Sequence, residues 1–278
     1  MATTAIWGCT FVVVKGALAD ASPLPFLAVR FVLAGLLLLA ILGRGQVERG
    51  AILPGFILGS FLFGGYLFQT HGLLYTTPSK SAFLTGFSVI LVPLIVTLSG
   101  SRVGSGTLIG GALGLAGIYF LVAPSGMATV NRGDLLTLVG ACSFAVHIVL
   151  VGHYTKKFSF LHLVPAQILV VGLLSSLALP LAASRSFHVT VRLAVAILVT
   201  AVLATGVAFS VQNWAQQYTP AAHTALIFAL EPVFAALSSR LVVGEHLGGR
   251  ALAGSGLILG GMMVSEIWGG SKPSPVEG

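Results

Sequence analysis

Residues 24–43 read LPFLAVRFVLAGLLLLAILG, twenty residues carrying a single charge, Arg30. At about 1.5 Å per helical residue such a block crosses the ~30 Å hydrocarbon layer of a bilayer. The same reading extends in both directions. Apolar blocks fall near 3–19, 51–75, 79–98, 105–123, 133–155, 160–183, 192–218, 222–240 and 249–268. Turn residues and charges at 20–23, 44–50, 124–132 and 184–192 separate them. Counting 24–43, ten membrane helices are expected, with a polar and disordered tail at 269–278. No cleavable signal peptide is expected, because the first block runs straight into this polytopic pattern.

Composition excludes the soluble classes. Hydrophobic residues make up 56% of the chain and charged residues 8%, against about a quarter charged in a soluble domain. The formal charge of +7 does not indicate nucleic acid, since the basic residues are scattered singly and only Lys156 and Lys157 adjoin. Cys9 and Cys142 lie inside apolar blocks and form no metal-ligand pattern, so neither a metal nor a cofactor is expected. Gly104-Ser105-Gly106 lacks the lysine and strand context of a phosphate loop. Paired carboxylates, a His-Glu-x-x-His pattern and a serine with a placed base are all missing, so an enzyme is not expected.

The chain repeats itself. At an offset of 143, Gln69 falls on Gln212, Tyr75-Thr76 on Tyr218-Thr219, Ala82 on Ala225 and Gly117 on Gly260. Near the start, Cys9-Thr10-Phe11 falls on Cys142-Ser143-Phe144 at an offset of 133. Two five-helix units are therefore expected, at 1–123 and 133–268. Because five is odd, the second unit enters the bilayer from the opposite side, which gives an inverted repeat. Loop charges divide evenly between the two faces and fix no orientation.

Trp7-Gly8-Cys9-Thr10-Phe11 with Lys15 resembles the opening helix of the drug/metabolite transporter superfamily, in its ten-helix EamA-type branch. Pro25 with Arg30-Phe31, Tyr75-Thr76 leading to Ser79-Lys80-Ser81-Ala82-Phe83-Leu84, and Leu230-Glu231-Pro232-Val233 resemble later landmarks of that family. The resemblance spans residues 6 to about 264, and within the branch it suggests YddG-type exporters of aromatic and other amino acids. It implies an all-α bundle of two inverted repeats around a central cavity lined mainly by the first, third, fourth, sixth, eighth and ninth helices. It further implies a multi-pass protein of the plasma (inner) membrane with cytoplasmic termini, acting on a small molecule as a monomer or a dimer. A multidrug or other metabolite transporter of the same superfamily, or a membrane receptor without transport, are the competing readings.

Polar groups inside spans are costly, which makes them informative. Helix eight carries Gln212, Asn213, Gln216 and Gln217 with Trp214 and Tyr218 in one short stretch, and Gln69 sits at the repeat-equivalent place. An aromatic wall of Trp7, Phe11, Tyr75, Phe87, Trp214, Tyr218 and Phe234 is expected around a solute. His147 and His71 either line that cavity or bond a helix carbonyl. Lys15 and Arg30 read as snorkelling to the interface. Glu231 is expected near the midplane and uncharged while the cavity is dry, beside Pro232, which kinks the helix and frees a carbonyl. Glu231, Pro232, His223 and Lys80 are the expected coupling or gating residues. The glycines at four-residue spacing near 106–114 and 256–260 suit close helix packing, within one chain or between two.

Overall fold

A computed structural model describes residues 1–42, 48–100, 103–122, 131–243 and 249–268. The tail at 269–278 lies outside the described residues. The first three spans are α1 (Ala2–Ala17), α2 (Pro23–Leu42) and α3 (Ile52–Gly72, entered through a 3₁₀ turn at Arg49–Ala51). Next come α4 in two pieces (Pro78–Thr85 and Ser88–Leu98), α5 (Ser105–Val122), α6 (Arg132–Tyr154) and α7 (Phe160–Leu177). The last three are α8 (Val191–Val199, Thr200–Val207 and Ala208–Ala215), α9 (Ala221–Phe228 and Glu231–Val243) and α10 (Gly249–Trp268). Seven of these spans are long and apolar enough to cross a membrane by themselves, and the rest are shorter apolar helices in α1, α5 and α10.

Local chemistry sets where the helices begin. Pro23 and Pro78 sit at first-turn positions, where a missing N–H leaves no bond unmade. Thr77, Ser159 and Thr190 cap their helices through side-chain oxygens. Asn131 and Asp134 form a reciprocal capping box at the start of α6.

Helix pairing shows the duplication. Exchanging the first five helices for the last five turns α3–α6 into α8–α1, α3–α7 into α8–α2, and α4–α6 into α9–α1. All of these pairs are packed, and α2–α7, α5–α10 and α4–α9 exchange with themselves. The breaks agree. Helix α4 is interrupted at Gly86-Phe87 and α9 at Ala229-Leu230, and 229 − 86 = 143, the offset read from the sequence. Between helices the main cluster is aliphatic and aromatic, with Phe26, Leu27, Phe31, Leu62, Ile168 and Leu193 fully or almost fully buried.

The glycine faces of α5 and α10 are turned on each other within one chain. A Cβ on Gly110 would stand 2.4 Å from the Gly261 carbonyl oxygen, and one on Gly117 would stand 2.5 Å from that of Gly254. Backbones that close leave room only for glycine. Gly256 and Gly260 meet nothing within 4 Å, so the contact register differs from the four-residue spacing seen in the sequence.

Pro232 also differs from expectation. It lies in the first turn of the Glu231–Val243 piece, after the helix has already stopped at Ala229-Leu230. The break is an end and a restart, with the proline placed where it costs no hydrogen bond.

Candidate functional site

A cavity lies between the two halves, with about 780 Å³ of empty space, part of it open to solvent. Both halves line it. Helix α1 contributes Trp7, Thr10, Phe11 and Val14, α2 contributes Arg30, and α3 contributes Leu62, Tyr66, Gln69, Thr70 and Leu73. Helix α4 adds Thr85, Gly86 and Ser88, α6 adds Phe144, His147 and Ile148, α8 adds Phe209 and Gln212, and α9 adds Phe228 and Glu231. Ser88 and Glu231 are repeat equivalents, since 231 − 88 = 143, and each opens the second piece of a broken helix.

The aromatic residues form a continuous wall. The Trp7 ring centroid lies 5.2 Å from that of Phe209 and 5.1 Å from that of Phe228, while Tyr66 lies 5.2 Å from Phe144. Tilted and edge-on contacts of this kind are favourable in an apolar site.

Arg30 does not snorkel. It is 3% exposed, and its guanidinium carbon lies 4.8 Å from the Phe31 ring centroid and 4.7 Å from that of Tyr66. Nε donates to Thr205 Oγ1 at 3.1 Å and Nη2 donates to the Tyr66 hydroxyl at 3.4 Å. Those contacts fix the guanidinium plane and leave Nη1 without a hydrogen-bond partner among the described residues. Thr205 belongs to the π-helical stretch Thr200–Val207 of α8. The Trp7 indole N–H donates to the Ala204 carbonyl in that same stretch at 2.7 Å. Wider π turns are frequent at functional sites, and here one holds two cavity residues in place.

Glu231 is 8% exposed and carries no hydrogen bond or ion pair among the described residues. The two basic residues expected to act with it in coupling or gating are engaged elsewhere. Lys80 pairs with Asp134 at 2.7 Å, and His223 Nε2 lies 3.3 Å from Thr107 Oγ1. Lys80 and His223 are themselves equivalent, since 223 − 80 = 143. Among the described residues the Glu231 carboxyl makes no hydrogen bond to a backbone carbonyl near Pro232.

The remaining sequence candidates divide by position. Trp7, Phe11, Gln69, His147, Gln212 and Glu231 are brought together on the cavity. Gln216 is buried beside it and bonds Gln212 and the Ile148 carbonyl. Phe87 and Phe234 pack into the cluster around Phe83 and Leu230. Trp214 and Tyr218 meet edge-on, 52% and 75% exposed, at the end of α8. Tyr75 lies under Arg132, whose guanidinium is 3.6 Å from its ring centroid. His71 bonds the Leu67 carbonyl of its own helix. Lys15 is turned into the protein, where it caps the carbonyls of Leu73, Leu74 and Thr76 at the end of α3.

Arg30, Tyr66, Phe144, Gln167, Phe209 and Phe228 escaped the sequence reading of the site. Two of them carried usable signals: Phe209 lies three residues before Gln212 on one helical face, and Phe144 is the repeat counterpart of Phe11.

Comparison with known proteins places this architecture. A solved protein crystal structure superposes with a TM-score of 0.80 at 19% identity, over 96% of this chain and 95% of the other. A protein of Archaeoglobus fulgidus described as an uncharacterized transporter is 36% identical over 265 residues, covering 94% of this chain and 82% of that one. The EamA-like transporter family matches twice in succession, over residues 1–123 and 131–266. Through these matches, together with ten apolar helices arranged as two inverted sets of five, the chain belongs to the EamA-like transporter family.

Proposed function

We propose that this chain is a secondary transporter that exports amino acids with apolar or aromatic side chains, or closely related small metabolites, by alternating access. The observation that carries this reading is the pair of ionisable groups without an ion-pair partner, among the described residues, in an aromatic cavity. The Arg30 guanidinium is held rigid with donors left over, and the Glu231 carboxyl has no partner among the described residues. A fixed guanidinium suits a carboxylate, and the rings of Trp7, Phe11, Phe144, Phe209 and Phe228 suit an apolar side chain.

The helix breaks support alternating access. Discontinuous helices at a repeat interface are where carriers of this general build place their solute, and both breaks here border the cavity. Units 1–123 and 133–268 rock against each other around it, as a monomer in the plasma membrane with cytoplasmic termini. Lys80 with Asp134, and His223 with Thr107, hold the starts of α4 and α9 at opposite membrane faces and act as the gates. Glu231 couples flux to pH.

Uptake of a labelled amino acid panel into proteoliposomes, with and without a pH gradient, tests the proposal. Saturable flux of phenylalanine or leucine is expected. Binding of these solutes without flux would instead make the protein a receptor.

A further inference from the structure

Two chains of side-chain amides end at the cavity wall, and each is rooted on a backbone carbonyl. A carbonyl oxygen only accepts, so the polarity of every link above it is fixed. In the first chain Asn213 Nδ2 donates to the Phe209 carbonyl at 2.9 Å, which turns Asn213 Oδ1 towards Gln167. Gln167 Nε2 donates to that oxygen at 3.0 Å, and Gln167 Oε1 is left to accept from His147 Nε2 at 2.7 Å. Neutral imidazole then carries its proton on Nε2 and has a bare lone pair on Nδ1. His147 lines the cavity, and Nδ1 has no partner among the described residues.

The second chain repeats the logic. Gln216 Nε2 donates to the Ile148 carbonyl at 2.9 Å, so Gln216 Oε1 accepts from Gln212 Nε2, also at 2.9 Å. Gln212 is left with Oε1, which is buried and has no partner among the described residues although the residue lines the cavity. Both chains therefore finish as acceptors, and the Glu231 carboxyl is a third. An orphaned buried acceptor is costly unless a donor arrives.

We propose that His147 Nδ1, Gln212 Oε1 and the Glu231 carboxyl form a subsite for a primary ammonium group. The proposal rests on reading the cavity as an amino acid site, and it orients the solute with its carboxylate towards Arg30. An ammonium carries three N–H donors in a compact charge, which matches three acceptors. Asn213, Gln167 and Gln216 act as positioning residues, since they dictate which atom faces the cavity.

The test is equilibrium binding to the full-length protein in detergent. The probes are phenethylamine (amine only), 3-phenylpropionate (carboxylate only) and phenylalanine. Wild type is expected to bind phenethylamine saturably. Gln212→Met is expected to weaken phenethylamine and phenylalanine by about tenfold, the effect of losing one hydrogen bond to a charged group, and to leave 3-phenylpropionate within about twofold. His147→Gln keeps a donor for Gln167 and an oxygen for the cavity and is expected to retain phenethylamine binding, whereas His147→Leu loses it. Melting temperatures confirm that each variant is folded.

Absence of phenethylamine binding to wild type overturns the subsite, as does an equal loss for both single-charge probes in Gln212→Met. Phenethylamine binding that depends on Gln212, without any amino acid flux, overturns the transport reading and leaves the subsite standing. Amino acid flux with unaltered phenethylamine binding in folded Gln212→Met does the reverse.

Discussion

Arg30 on α2 and Gln167 on α7 occupy matching places in the two halves, yet they do opposite things. Their equivalence follows from a reciprocal contact. A Cβ on Gly35 of α2 would meet Leu169 of α7 at 2.6 Å, and one on Gly172 of α7 would meet the Val32 backbone of α2 at 2.9 Å. Exchanging the halves carries Gly35 onto Gly172, and 172 − 35 = 137 carries residue 30 onto 167. Arg30 brings a permanent donor to the cavity, while Gln167 stays behind the wall and turns His147 into an acceptor. Tyr66 and Phe209, 143 residues apart, differ likewise: the tyrosine hydroxyl accepts from Arg30, and the phenylalanine has nothing to offer it. A duplicated fold thus encloses an unsymmetrical site, because side chains at equivalent places diverged and the π stretch of α8 has plain α-helix as its counterpart in α3.

Erasing that divergence is expected to have the largest effect. Arg30→Gln makes the first half resemble the second and removes the charge-assisted bond to a carboxylate, worth about 1.5–3 kcal/mol. Flux of a carboxylate solute in proteoliposomes should fall by about 10- to 100-fold. A folded Arg30→Gln protein with undiminished flux would break the assignment of donor and acceptor sides.

Glu231 is the next largest. Glu231→Gln preserves shape and hydrogen-bonding capacity, so the fold should persist while flux loses its dependence on pH. An unchanged pH profile in a well-folded Gln variant ends the coupling role. Glu231→Leu serves as the control: a fall in its melting temperature with the Gln profile unaltered would return the residue to a structural part.

Packing at the helix contacts sharpens the comparison at a smaller scale. A Cβ on Gly8 would fall 2.6 Å from the Glu231 carbonyl oxygen and from the Phe234 Cβ, whereas one on Gly16 meets nothing within 4 Å. Gly8→Ala should destabilise by about 1–3 kcal/mol through overpacking of α1 on α9. Gly16→Ala, in the same helix, should leave stability unchanged or slightly improve it. Equal melting temperatures for the two variants would refute the close α1–α9 contact.

Helix capping and loop charges contribute least. Arg192, in the first turn of α8, hydrogen-bonds both oxygens of Asp20 in the α1–α2 loop, with help from Thr190, and holds its carboxyl at about 2. The folded value lies below the ordinary 3.8. The contribution is therefore fully present above pH ~4 and is lost as pH falls towards 2. Asp20→Asn should lower the melting temperature slightly at neutral pH and converge on wild type as pH falls towards 2, as read by melting temperature against pH.

The spans, their order and the offset of 143 were legible because run length, turn residues and polar echoes are local or nearly local signals. Four amides on one stretch of α8 marked the right helix, but their division was not legible. Gln212 reaches the cavity and Gln216 serves as glue because the Ile148 carbonyl of α6 claims the second amide. Arg30 was misread for a similar reason. Snorkelling and burial are equally open to an arginine two turns into a helix, and the choice fell to Thr205, 175 residues away, and to the ring of Tyr66. The π stretch at Thr200–Val207 has no proline and a single glycine, Gly206, which does not by itself announce it, and it decides where both Trp7 and Arg30 are anchored. Trp214 and Tyr218 were plausible wall residues by composition, yet their places near the end of α8 leave them facing outward.

The central claim is that one cavity, with its donor on α2 and its acceptors on α6, α8 and α9, carries amino acids across the membrane. Counterflow of labelled phenylalanine in proteoliposomes tests it most directly, with phenethylamine and 3-phenylpropionate added singly as competitors. Saturable counterflow inhibited by each competitor, with Arg30→Gln abolishing inhibition by 3-phenylpropionate alone, is the expected result. Folded, correctly inserted protein that shows no saturable counterflow of any amino acid would contradict it.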